Sequence, residues 1–506
     1  MRRLFLALTA LAIAPLAAQA PAPRRLSLAD ALELALPASD GVALARADVQ
    51  KAEGEVKRVR ADLLPQLTGS ASYTRTLKSQ FSTGSGRVDT TATSFCNRFT
   101  GDPSLPVGTR LDSLERSVEC LSALNPFAAL SNLPFGRKNQ YNFGLQFSQV
   151  LFSSGILKGR PRAAVAGRRV ARLGLTTAEA QARLDVTQAY YDAVLTDRLV
   201  GIAELALAQA ETTLAQTRVA REVGTQPEFD LLRAQVTRDN QRSAVIRQRS
   251  QRTLGYLRLA QLLGLPLEQP LELTTALDET PEAMRAAEPE LAAGDTAAAE
   301  RAAVQQAAES VNLQEVLTNV TRWDRVPTVK LTSSFARIGY PANGLPWKAD
   351  FVSDWTVGVN VSVPLWTSGR LRGNTIVAEA SLDQARTRLA QAHDLAVLDA
   401  RQTLEQLSTA RAAWQATQGT VEQAQRAYEI ATLRYREGLS TQTELTDARL
   451  LLEQAQANRA TAARDVRVAR ARLDLLHDLP LSANGVGETL SNAASGLANS
   501  QAAGGN

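Results

Sequence analysis

Residues able to do covalent, redox or metal chemistry are scarce along this 506-residue chain. Two histidines, His393 and His477, and two cysteines, Cys96 and Cys120, provide no ligand set at metal-binding spacing. No nucleophile stands beside a base in a pattern that would activate it. The chain therefore reads as a non-enzyme with no metal and no cofactor. The histidines fall in predicted helices far apart in sequence and read as structural or surface residues. The chemistry open to Cys96 and Cys120 is pairing with each other, should the chain reach an oxidising compartment. Among the carboxylates, Glu444 and Asp447 stand three residues apart, which puts both on one face of a predicted helix.

Any such pair needs elements to hold it, and the composition says which kind. Aromatics make up only 5% of the chain, and the 44% hydrophobic content is mostly Ala, Leu and Val. That favours long, thin, closely packed helices over a thick globular core. Basic and acidic residues number 56 and 51, interspersed, for a net charge of +5. No basic field dominates, which excludes a nucleic-acid partner. The N-terminus carries Arg2 and Arg3, an apolar run from Leu4 to Leu16, and Ala18-Gln19-Ala20. Residues 1–20 are accordingly read as a signal peptide, and the chain as exported. No other apolar run is long enough for a transmembrane helix.

The chain repeats itself. Phe147 to Gly155 matches Val361 to Gly369 at an offset of 214 residues, and the same offset relates Gly224 to Gly438, Ala234 to Ala448 and Pro266 to Pro480. Residues 21–266 form a first repeat, with an inserted loop at 76–140, and residues 267–480 a second. Residues 481–506 read as a disordered tail. Each repeat reads helix, strand, loop, strand, then two long helices. Helices are predicted over Leu28 to Asp62 and Ala298 to Arg322. The long pairs are Ile156 to Val223 with Pro227 to Leu263, and Leu371 to Glu437 with Gln442 to Leu476. The first of each pair ends at a glycine, Gly224 or Gly438. Leu407, Trp414, Val421, Tyr428 and Tyr435 fall seven apart, with Ala410, Ala424 and Ala431 three behind. That is a coiled-coil seam with a large and a small position.

Four segments alternate with period two. Leu67, Gly69, Ala71 and Tyr73 alternate with Thr68, Ser70 and Ser72; Tyr141, Phe143, Leu145 and Phe147 with Asn142, Gly144 and Gln146. Val329, Leu331 and Phe335 alternate with Lys330, Thr332 and Ser334; Trp355, Val357, Val359 and Val361 with Thr356, Gly358 and Asn360. Their lengths suit tilted transmembrane strands, lipid on one face and water on the other. Four strands cannot close a barrel, and open edges are forbidden in lipid. Other copies must complete the sheet: two give eight strands, three give twelve.

The duplicated frame, with Leu151-Phe152-Ser153-Ser154-Gly155, Leu365-Trp366-Thr367-Ser368-Gly369 and Arg434-Tyr435-Arg436-Glu437-Gly438 before Glu444-Leu445-Thr446-Asp447-Ala448, resembles the outer-membrane efflux family of TolC-like channels. The resemblance runs from about Leu26 to Pro480. It implies an α+β membrane protein: a homotrimer whose four strands per chain make a 12-stranded β-barrel in outer-membrane lipid, continued by a long periplasmic α-helical barrel. It implies an exit duct of a tripartite efflux or type I secretion system, served by a periplasmic adaptor (membrane fusion) protein and an inner-membrane transporter of RND, ABC or MFS type. It implies that Glu444 and Asp447 form a cation-selecting constriction at the periplasmic gate. It places Asp230 and Tyr435 in the lock that holds neighbouring helix pairs closed. The lock's basic partner would fall at Ser440, which carries no charge; Arg233, opposite Asp447 in the repeat, is the alternative. The turns at Gly224 and Gly438 would be the tips that dock the adaptor. The competing reading is a periplasmic coiled-coil adaptor, which calls for one hairpin and small flanking β-domains, not two hairpins with bilayer-length strands.

Seventeen of the 25 aromatics lie in two windows, Tyr73 to Phe152 and Trp323 to Trp366, each centred on a strand pair. Aromatic girdles at the bilayer interfaces would place them there.

Overall fold

The structure is a computed structural model that describes residues 23–77, 99, 101–123, 138–153, 155–277, 298–341, 344–348 and 350–481. The expected signal peptide, the tail after residue 481, Cys96 and the side chain of Cys120 lie outside them, and with them the proposed Cys96–Cys120 pair. The chain divides into two compact units, one of residues 57–161 and 317–376, the other of the remainder.

The smaller unit is a four-stranded antiparallel sheet. Its strands are β2 (Gln66–Arg75), β3 (Asn139–Phe152), β5 (Thr328–Gly339) and β6 (Phe351–Ser362), in the order β2-β3-β5-β6. The register sorts the alternating side chains onto two faces. Leu67 sits opposite Phe147, Leu145 opposite Phe335, Phe335 opposite Trp355, and Leu331 opposite Val359. The other face carries Thr68 beside Gln146, Ser70 beside Gly144, Gln146 beside Ser334, and Lys330 beside Asn360. None of the described residues covers the apolar face: Trp355 is 73% exposed and Val357 67%. A soluble sheet would bury such a face.

The end of the sheet where Arg75 faces Asn139 is ringed by aromatics. Tyr73 and Tyr141 stack with centroids 4.8 Å apart, and Phe143 meets Phe351 at 5.7 Å. The Tyr141 hydroxyl donates to Gly344 O at 2.7 Å, tying the β5–β6 loop to this rim, and that of Tyr73 donates to Asn139 Oδ1 at 2.9 Å, joining β2 to β3. At the other end a π-helical turn, Gly155–Gly159, follows β3. A Cβ on Gly159 would sit 2.1 Å from Val320 Cγ2, and one on Gly155 would sit 3.4 Å from Val320 O. This close approach needs glycine for space. Gly159→Ala is expected to destabilise the unit by about 1–3 kcal/mol through overpacking, read as a lower dissociation temperature of the assembled protein. An unchanged temperature would show that Val320 yields freely.

The larger unit is helical. A Ser27–Asp30 capping box starts α1 (Leu28–Ala38), and Asp40–Ala61 forms α2. The single helix expected over Leu28 to Asp62 is thus divided at Ser39, two residues after Pro37. The long helices are α4 (Arg160–Glu222), α5 (Glu228–Leu262), α7 (Arg370–Ala416), α8 (Thr420–Arg436) and α9 (Gln442–Asp474). The continuous helix expected over Leu371 to Glu437 is corrected. It breaks at Gly419, whose φ of 80° is left-handed. Just before it, Thr417 Oγ1 donates to Trp414 O, so the backbone ladder is already contested. The equivalent position in the first repeat is Leu205, inside the uninterrupted α4. The heptad residues Leu407, Trp414, Val421, Tyr428 and Tyr435 are all buried or half-buried on both sides of the break.

Two further features depart from expectation. The inserted segment, read as loop, contains a helix, α3 (Val107–Ala123). Two three-residue strands, β1 (Arg24–Leu26) and β4 (Leu271–Leu273), pair in parallel. They cover a core of Leu26, Ala31, Val186, Tyr190, Leu259 and Leu263. The buried Tyr190 hydroxyl donates to Leu26 O at 2.9 Å and accepts from Thr275 N at 3.0 Å, fixing both short strands to α4. One more helix, α6 (Ala302–Trp323), precedes β5. Just before it the Arg301 guanidinium, 2% exposed, meets Asp399 of α7.

Candidate functional site

The residues singled out by sequence gather where α4 turns into α5 and α8 turns toward α9. Each turn is closed the same way. Gly224 has φ 82° and Gly438 φ 68°. Thr225 N bonds back to Ala220 O at 2.9 Å, and Leu439 N to Arg434 O at 2.8 Å. This pattern satisfies the carbonyls at a helix end and demands a left-handed residue. Around the turns Val223 is 74% exposed, Phe229 68% and Leu439 69%, an apolar collar on an otherwise polar end.

Thr441 caps α9, its hydroxyl accepting from Glu444 N at 3.3 Å. Glu444 therefore sits in the first turn, where the helix dipole favours negative charge. Glu444 and Asp447 are both exposed, and neither carboxylate has a hydrogen-bond or ion-pair partner among the described residues. Two unpaired acids one turn apart can hold a cation only with help from further oxygen ligands.

The candidate lock residues make different contacts from those expected. The Tyr435 hydroxyl lies 3.1 Å from Thr217 Oγ1, and Thr217 donates its own proton to Thr213 O at 2.8 Å. Tyr435 is thus the donor, linking α8 to α4. Arg233 donates to Thr443 Oγ1, linking α5 to α9, and is not joined to Asp447. The Asp230 side chain has no partner among the described residues. The half-buried Ser440 hydroxyl likewise has no hydrogen-bond partner.

Three residues of this region were missed by sequence. Thr217 is 1% exposed, Gln442 5% and Arg449 6%. With its amide turned to satisfy both groups, Gln442 donates to Asp230 O at 3.1 Å and accepts from Ala234 N at 3.2 Å. Arg449 donates to Ala206 O at 3.4 Å. Burial pushes its guanidinium pKa down, against the opposing pull of Glu453 and Tyr428. Arg449 and Gln442 line a small cavity with Tyr428, Thr213 and Thr237, drawn from all four helices. A polar residue seven positions from a seam residue is the signal that was available, since Thr217 extends the Ala203–Ala210 series of α4.

Comparison with known proteins places these features in a family. The family model for the outer membrane efflux protein matches residues 121–265 and 293–477. The toluene efflux pump outer membrane protein TtgF of Pseudomonas putida is 26% identical over 331 residues, which are 63% of this chain and 65% of that protein. The pyoverdine export outer membrane protein OpmQ of the same species is 26% identical over 298 residues, 54% of this chain and 57% of that protein. The chain thus spans about two thirds or less of the curated relatives it matches. Among solved structures, the Campylobacter jejuni CmeC outer membrane channel superposes with a TM-score of 0.69 at 17% identity, covering 92% of this chain and 89% of that one. The Vibrio cholerae outer membrane protein VceC gives 0.64 at 17% identity, covering 90% and 97%. The four-stranded sheet and paired long helices are the fold of these channels.

Proposed function

The chain belongs to the outer membrane efflux protein family, and on that premise we propose that it is the passive exit duct of a tripartite export system. Three copies would complete a twelve-stranded barrel in the outer membrane and a helical conduit in the periplasm. A periplasmic adaptor and an inner-membrane transporter would supply cargo and energy. The observation that carries this reading is the sheet: one predominantly apolar face with no cover among the described residues, one polar face, and two edge strands, β2 and β6, that pair on one side only among the described residues. In lipid those edges must be paired by other copies, and the polar face then lines water. A periplasmic adaptor has no use for such a sheet.

Within the conduit, Glu444 and Asp447 form a ring of six carboxylates, a barrier to anions and a site for cations. Tyr435 with Thr217, and Arg233 with Thr443, join the first helix pair to the second within one copy. Movement of one pair against the other would have to break both bonds. The tips at Gly224 and Gly438, with their apolar collar, dock the adaptor. The experiment is fractionation followed by planar-bilayer recording. A heat-resistant trimer in the outer membrane that forms ion-conducting pores is expected. A soluble periplasmic monomer would overturn the duct.

A further inference from the structure

The inserted segment between β2 and β3 has no equivalent in the second half of the chain, and the duct reading leaves its helix unused. Helix α3 is amphipathic in an unusually narrow way. Val107, Leu111, Leu114 and Val118 are spaced four, three and four apart, and all four are exposed, at 73%, 58%, 42% and 56%. At about 100° per residue these four fall within roughly 60° of one another. A helix that lies on a globular core or a lipid surface carries a broader stripe; two apolar positions per seven residues is the seam of a coiled coil.

The flanking charges point the same way. With Leu111 and Val118 at the a positions, Arg110 occupies g and Glu115 the following e. In a parallel coiled coil, g of one helix meets the next e of its neighbour. Neither residue has an ion-pair partner among the described residues, and Arg110 Nε is buried without an acceptor. Five residues apart, they cannot meet on their own helix. The acid and base that do pair within α3, Asp112 and Arg116, sit on the far face, 3.8 Å apart.

Position in the fold identifies the partner. Arg75 and Asn139 are opposite each other in the register, so the insertion leaves and rejoins the sheet at its aromatic-ringed outer end. It leaves from β2, an edge strand that needs another copy beside it. Closed rotational symmetry makes equivalent helices parallel about the barrel axis. Strands about 4.8 Å apart and tilted near 40° put that axis roughly 12 Å from a twelve-stranded wall. The 15 residues between Ala123 and Asn139 reach several times that far. The second loop at this end, residues 340–350, is short.

We propose that α3 packs its Val107–Val118 seam against the same seam of the other copies, forming a parallel coiled-coil plug over the outer mouth. This rests on the trimeric duct reading. Tethering to an already assembled barrel supplies the effective concentration that a helix of this length needs.

The test uses the full-length chain in outer membranes, with the photo-crosslinker p-benzoylphenylalanine in place of Leu114 or, on the far face, of Arg116. Irradiation at position 114 should give covalent dimers and trimers mapping to residues 107–118 of another copy, at least tenfold above position 116. Arg110→Glu should cut the position-114 yield several-fold, and adding Glu115→Arg should restore it. Position-114 adducts with lipopolysaccharide or a different protein overturn the plug, as does absence of adducts on a chain that still forms the heat-resistant trimer. A chain that forms no trimer overturns the duct and the plug with it.

Discussion

Asp399→Ala is expected to destabilise the helical unit by about 3–5 kcal/mol, the largest effect of any single side chain in it. Asp399 is 5% exposed and Arg301 2%. Arg301 Nη2 lies 2.8 Å from one carboxylate oxygen without being aligned to donate to it, and Arg472 Nη2 lies 3.0 Å from the other. Arg301 also donates to Ala396 O at 3.3 Å, while its Nε is buried without an acceptor. Charge more than hydrogen bonding compensates this guanidinium. Removing the carboxylate leaves one cation buried and a second half-sheltered with no counter-charge, which is far costlier than losing an ordinary contact. Asp399→Asn keeps the shape but not the charge and should fall between. Replacing all three residues by apolar ones of similar size, Arg301→Met, Asp399→Leu and Arg472→Met, should recover most of the loss. Urea unfolding in detergent reads all three. If Asp399→Ala moves the midpoint no more than an exposed Asp→Ala control, the triad is not the anchor argued here.

That triad also marks where sequence reading stops. Asp399 stands 98 residues from Arg301 and 73 from Arg472 along the chain, and nothing local announces the three. The equivalent of Asp399 in the first repeat is Asp185, which accepts from Gln181 one turn away at 2.7 Å. The duplication therefore does not predict the partner. The strands were legible because a sheet with two different solvents imposes a strict period of two. The turn glycines were legible because only a left-handed residue closes a helix in that way. The break at Gly419 was not, because the heptad seam continues unbroken in phase from Trp414 to Val421. Strands β1 and β4 are too short for any period, and their pairing depends on Tyr190, some 80 residues from Thr275. At the tips, sequence singled out Tyr435 and Arg233 but not the residues they meet, Thr217 and Thr443. Thr217 and Thr443 are short hydroxyl side chains whose value lies in which helix faces them.

Neutralising the ring that we propose at the tips should change conduction more than any other substitution in the conduit. In the Glu444→Gln, Asp447→Asn double variant, six charges leave a trimer at once. Each attracts a trivalent blocker by about 1 kcal/mol at roughly 10 Å in water-like dielectric. Salt at physiological strength screens much of this. The remainder still predicts that the half-blocking concentration rises on the order of 100-fold, equivalent to about 2.7 kcal/mol. Cation-over-anion selectivity should fall toward unity in the same recordings. Each single variant should lie between, with Glu444→Gln the smaller if the helix dipole already offsets part of its charge. Asp230→Asn provides the comparison, because its carboxylate stands on α5 outside the proposed ring. Raising the salt should shrink the gap between wild type and double variant, as screened charge requires and a change of pore shape does not. If block and selectivity survive the double variant, Glu444 and Asp447 are a solvated helix face and the selecting charges lie elsewhere.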